Sequence, residues 1–77
     1  MDLAFLHVFE LTVDGLASTF EFRMPYERDD VLEATDACAK YVARQEDNFL
    51  PLGADAAVRA HRVLLIRHLS VGPMPEE

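Results

Sequence analysis

The chain has 77 residues, enough for one domain and no second, and at that size folding hides only roughly 60% of the unfolded surface, so the core is thin. Fourteen acidic against seven basic residues give a formal net charge of −7, which repels a phosphate backbone and attracts basic protein surfaces. A single cysteine, Cys38, excludes an internal disulfide and fits a reducing compartment, and no apolar run reaches the roughly 20 residues of a membrane helix.

In chain order, the start Met1-Asp2-Leu3 lacks the basic stretch of a signal peptide, so a soluble, cytoplasmic protein is expected. Residues 3–24 predict a β-hairpin. Asp14-Gly15 suits a two-residue turn, where both central positions need positive φ. That turn sets Val13 opposite Leu16, Leu11 opposite Ser18, Phe9 opposite Phe20, His7 opposite Phe22 and Phe5 opposite Met24. Nearly all are apolar and share one face, since side chains alternate with period two. On the other face the second strand presents Ala17, Thr19, Glu21 and Arg23, an ordinary solvated set. The first strand presents Ala4, Leu6 and Val8 before Glu10 and Thr12, and a strand apolar on both faces is usually covered on both.

Met24-Pro25 ends the hairpin, and residues 30–48 predict an amphipathic helix. Asp30 is its N-cap, with Glu33 at the capping-box position. Val31, Ala34, Thr35, Cys38, Tyr41, Val42 and Gln45 share one face at helical spacing, and Glu33, Asp36, Lys40, Arg44 and Asp47 the other. Asp36 and Lys40 form a favourable i,i+4 pair. Phe49-Leu50-Pro51-Leu52-Gly53 predicts a loop whose large apolar residues cover one end of the core.

Residues 55–69 admit two readings. As a helix capped by Asp55, one arc carries Ala57, Val58, Ala60, His61, Leu64, Leu65, His68 and Leu69, leaving Val63 and Ile66 among Arg59, Arg62 and Arg67. As a strand, Val63-Leu64-Leu65-Ile66 is a short buried run. The helix is preferred, because no Gly, Pro or Asn marks a switch near Arg62 and Ala, Leu and Arg favour helix. Residues 1–72 form the compact domain and 73–77 an acidic tail.

The preferred architecture is therefore α+β in the order ββαα, a hairpin packed on two helices. The alternative is ββαβ, with 63–71 as a third strand beside the first. That arrangement is similar in outline to the β-grasp of ubiquitin-like domains, although Pro75-Glu76-Glu77 stands where conjugation requires a diglycine.

His7, Cys38, His61 and His68 all fall on predicted inner faces, which raises the question of zinc. On a helix, His61 and His68 lie roughly 10 Å apart along the axis, too far to share an ion, and no metal-binding spacing is present. No metal or cofactor is expected, and a small metal-binding protein using His7, Cys38 and one of His61 or His68 is the alternative reading. Burial lowers a histidine's pKa, so the three histidines permit a pH-sensitive core. Cys38, Ser18 and Ser70 lack a neighbouring base in the sequence pattern, and Cys38 sits among apolar residues that raise a thiol's pKa. The three glycines are dispersed and form no phosphate-binding loop. No catalytic residue is assigned and no enzyme is expected.

Binding surfaces are more legible. Residues 1–50 hold eleven acidic and four basic residues, whereas residues 51–77 balance at three of each. Glu33, Asp36 and Asp47 therefore form a candidate acidic face for a protein partner with a basic surface, in the manner of an inhibitor that mimics nucleic acid. Ala4, Leu6 and Val8 form a candidate self-association patch on an open strand edge, which predicts a homodimer or a subunit of an assembly. Arg59, Arg62 and Arg67 form a second candidate partner surface, or else pair with the acids of residues 30–47. Direct nucleic-acid and membrane binding are not expected. In size and charge the chain is similar to small acidic phage proteins that block host defence complexes, such as anti-CRISPR proteins. The likeness is one of composition and covers no motif.

Overall fold

The computed structural model describes residues 4–45, 48–52 and 56–75. Its elements are β1 (Phe5–Val13), β2 (Thr19–Tyr26), α1 (Val31–Gln45), β3 (Phe49–Pro51), β4 (Ala57–Arg59), a 3-10 turn (Ala60–Arg62) and β5 (Val63–Pro73). The main sheet has the order β2-β1-β5, and β3 pairs with β4 in a second, two-stranded sheet. The fold is α+β with five strands and one helix, and the ββαβ alternative fits it better than ββαα, with β3 and β4 as two short strands that neither reading contained. Residues 55–69, read as a second helix, are corrected to strand, turn and strand over their described part. β5 runs antiparallel to β1, so the sheet is antiparallel throughout, unlike the mixed sheet of ubiquitin-like domains.

The hairpin forms with a register displaced by two residues from the one that a two-residue turn would impose. Leu11 faces Phe20, Phe9 faces Phe22, His7 faces Met24 and Phe5 faces Tyr26. The turn itself is present: Leu16 N–H donates to the Val13 carbonyl at 3.2 Å, and Gly15 has φ of +81°. It leads away from β2, however, because Asp14 N–H donates to the Arg62 carbonyl at 2.7 Å and ties Val13-Asp14 to the start of β5. A two-residue displacement is even, so every side chain keeps its face. Phe9 and Leu11 are fully buried, as the alternation predicts.

Asp30 caps α1 as the sequence implies. Its side chain accepts from Glu33 N–H at 3.0 Å, and its carbonyl accepts from Ala34 N–H at 3.0 Å. The capping box is not completed. The Glu33 carboxylate instead takes a hydrogen bond from Tyr26 Oη at 2.8 Å and an ion pair from Arg28 at 3.3 Å. Ala34, Cys38 and Val42, four residues apart, are the buried stripe of α1. They join Phe9, Leu11, Leu50 and Ala60 in one core. Each fully buried large side chain contributes about 1.5–3 kcal/mol.

Two bulges on β5 explain its resemblance to a helix. Pairing with β1 shifts between Val8 and Phe9 and again between Thr12 and Val13, leaving Leu69 and Leu64 as the extra residues. The β5 residues opposite the inward positions of β1 are consequently Val63, Ile66, His68 and Val71. Their spacing of three, two and three is neither a strand period nor far from a helical one. The helical arc is thus inverted at several positions: Val63 and Ile66 pack on the core, whereas His61, Leu64, Leu65 and Leu69 are exposed. β5 continues to Pro73, and Met74 N–H donates to the Ala4 carbonyl at 3.1 Å.

Candidate functional site

The three predicted surfaces fare differently. In the acidic face, Glu33 is engaged by Tyr26 and Arg28, and Asp36 pairs with Lys40 at 2.9 Å. Asp47 lies outside the described residues. The Glu33 carboxylate also pushes the Tyr26 phenol above its ordinary pKa, since it accepts the phenolic hydrogen and opposes a second negative charge beside it.

The premise of an open β1 edge is corrected: β1 is the central strand, and β5 occupies its second side. Ala4 is exposed, and Leu6 and Val8 are half-buried on the outward face of the sheet. Leu6 lies between Pro25 and Gly72, and Val8 between Arg23 and Ser70. The next row brings Glu10 beside Glu21 and Arg67, so the apolar patch is small and polar groups border it.

The arginines do not form a helical cluster. Arg62 pairs with Asp14 at 3.5 Å and Arg67 with Glu10 at 3.8 Å, while the Arg59 guanidinium stands 4.7 Å over the Phe49 ring. Arg62 and Arg67 therefore pair within the molecule, with acids of the hairpin rather than with those of residues 30–47. Such exposed ion pairs contribute about 0–1 kcal/mol.

Two arrangements that the sequence did not bring together stand out. The first is the free side of β5. This eleven-residue strand lies at the edge of the sheet, and it exposes Leu64, Leu65, Leu69 and Val71. An edge strand presents a row of unpaired N–H and C=O groups. Beside it lies a groove of about 550 Å³, lined by Thr35, Ala39, Val42 and Ala43 of α1 and by residues 60–61 and 63–66. Small side chains at 35, 39 and 43, one helical turn apart, keep that wall low. The other edge of the sheet, β2, is protected by Glu21, Arg23 and Pro25, residues that discourage strand pairing.

The second arrangement is a histidine pair behind that strand. His7 is fully buried. Its Nε2 lies 2.7 Å from the Arg28 carbonyl oxygen and its Nδ1 lies 3.0 Å from Nε2 of His68. Tyr26 and Phe9 pack on the His7 ring, and Phe9 meets the His68 ring edge-on at 5.1 Å. Burial, together with the nearby His7, pushes the His68 imidazole below its ordinary pKa.

The remaining candidates stay apart. His61 is exposed in the 3-10 turn. Cys38 is fully buried and its thiol is pushed up to about 11 by burial, so it is protonated and unreactive at neutral pH. Among the described residues no three His, Cys, Asp or Glu side chains are grouped to hold a metal ion. No described helix is long and apolar enough to cross a membrane. In comparisons with known proteins, no family model matches the chain, and no curated protein or solved structure matches it significantly.

Proposed function

We propose that this chain is a non-catalytic protein-binding module that takes an extended, apolar segment of its partner along the free edge of β5, in the groove against α1. The observation that carries this reading is an eleven-residue edge strand whose exposed Leu64 and Leu65 line an apolar groove against α1. Strand addition draws affinity from main-chain hydrogen bonds and specificity from alternate side-chain contacts. The stretch between the bulges, residues 65–68, has regular pairing with β1 and is the natural template. Exposed apolar side chains that border a groove, rather than standing singly on the surface, mark interaction sites.

The acidity has a secondary part in this reading. The net charge of −7 steers a partner whose surface beside the bound segment is basic, and steering acts mainly on the association rate. A nucleic-acid mimic gains less support, because Glu33 and Asp36 already have cationic or hydroxyl partners. The same β5 edge also suits a second copy of the chain, since an isologous contact needs a self-complementary patch. The bulges at Leu64 and Leu69 leave only residues 65–68 regularly paired with β1, a stretch that matches a short extended segment of a partner.

Peptide-display selection against the purified protein provides the test. Selected peptides should be apolar and extended, and Leu64→Lys and Leu65→Lys should weaken their binding at least tenfold. Lys40→Ala, away from the groove lining, should leave it unchanged. Selected peptides that bind both lysine variants as tightly as the parent would overturn the reading. Sedimentation at high concentration separates the second-copy version: it requires a dimer that Leu64→Lys dissociates.

A further inference from the structure

The bulge at Leu69 has an unexpected effect on what the core contains. Were the pairing of Val8 with Ser70 continued without interruption, Phe9 would face Leu69, and His68 would turn to solvent. The shift instead sets His68 opposite Phe9 and leaves Leu69 47% exposed. The chain thus directs a histidine inward and a leucine outward, against the ordinary hydrophobic preference. Bulges commonly re-aim a side chain near functional positions, and a local rule broken in this way points to a use.

The hydrogen count at this contact is fixed by its geometry. The Arg28 carbonyl can only accept, so His7 carries its hydrogen on Nε2. The 3.0 Å between His7 Nδ1 and His68 Nε2 holds one hydrogen, not two. In the neutral pair both rings are therefore Nε2–H tautomers, with His68 donating to His7. One further proton fits: it resides on Nδ1 of His68, whichever ring bears the charge. A second would place two hydrogens between the facing nitrogens and force the rings apart.

We propose that the His7–His68 contact is a proton-operated latch that holds the His68–Pro73 end of β5 on β1 when neutral and releases it on acidification. Closed, the pair carries at most one extra proton, and open it carries two. The surroundings offer the cation little relief. Tyr26 of β2 directs its hydroxyl to Glu33, and the Arg28 guanidinium is also on Glu33. Among the other groups, α1 contributes the neutral Cys38 thiol, while Glu10 of β1 and Arg67 of β5 pair with each other on the opposite face of the sheet. No carboxylate hydrogen-bonds either imidazole among the described residues. The latch itself needs no partner. That its opening also dismantles the groove rests on the docking proposal, and the test uses the protein alone so that either idea can fail without the other.

The experiment is amide hydrogen exchange by NMR at residues 68–72 between pH 7.5 and 5, corrected for intrinsic exchange, with long-range ¹⁵N–¹H spectra to assign tautomers. Below the usual histidine pKa of about 6.5, the open state binds at least one proton more than the closed one, and up to two while the closed pair is still neutral. Protection at 68–72 should then fall by at least about tenfold per pH unit. His68→Gln should flatten this dependence, since its amide can turn to donate to or accept from His7 Nδ1. His61→Asn, at an exposed site, should leave it intact. Equal pH dependence in the parent and His68→Gln would overturn the latch. Should His68→Gln not fold, the parent spectra decide alone: an Nε2–H tautomer at both rings supports the proposal, and an Nδ1–H His7 at pH 7.5 contradicts it.

Discussion

Leu50 offers the sharpest test of how the small second sheet contributes to the fold. It occupies the middle of the three-residue strand β3, between exposed Phe49 and Pro51, and is itself fully buried. β3 is held in place by Ala60 N–H donating to the Asn48 carbonyl at 3.1 Å and by Leu52 N–H donating to the Ala56 carbonyl at 2.9 Å. Leu50→Ala removes a side chain from the cluster that contains Phe9, Leu11 and Cys38, and such a truncation costs about 2–5 kcal/mol. At roughly 0.05–0.15 kcal/mol per residue, 77 residues carry a total stability of about 4–12 kcal/mol. The substitution should therefore remove a large fraction of the stability, or all of it. Leu64→Ala, at a position 66% exposed, should change stability by no more than about 0.5 kcal/mol. With no tryptophan in the chain, urea unfolding is best followed by far-ultraviolet circular dichroism. Leu50→Met, which conserves volume and costs less than about 1.5 kcal/mol, guards against complete loss of the fold. Equal costs for Leu50→Ala and Leu64→Ala would refute the placement of β3 against the core.

Three further outcomes are expected. Asp30→Ala should cost about 1 kcal/mol in urea unfolding, because it removes the acceptor for Glu33 N–H at the start of α1; no measurable loss would argue against this cap. Gly15→Ala should destabilise by about 1 kcal/mol purely through backbone conformation, since φ is +81° and an added Cβ meets nothing within 4 Å; a neutral result would mean that the turn adopts another conformation. Cys38 should resist a thiol reagent at pH 7 and react fully in denaturant, given its burial and a pKa near 11. Rapid labelling of the native protein would contradict that burial.

What the sequence disclosed, and what it concealed, divides along physical lines. The inward faces of β1 and β2 were legible because alternation is a local property and an even change of register preserves it. The register was not, since Asp14 and Val13 follow β5 rather than β2, a long-range preference that Asp14-Gly15 does not encode. Asp30 and the stripe Ala34-Cys38-Val42 were legible for the same local reasons. β5 was obscured by its bulges, which replace period two with a mixed spacing over Val63, Ile66, His68 and Val71. The site suffered in turn. His7 was placed inward correctly, but its contact with His68 depends on a cross-strand pairing that only the bulge creates. The exposed leucines of β5 were hidden by the helical reading, which placed Leu64, Leu65 and Leu69 inside.

The central claim, that the free edge of β5 is the docking surface, is tested most directly by hydrogen exchange on the protein saturated with a selected peptide at pH 7.5. Strand addition predicts that outward-facing amides within residues 65–68 gain at least tenfold protection, while those of β2 do not change. Protection gained only along β2, or none at 65–68 in a saturated complex, would contradict it.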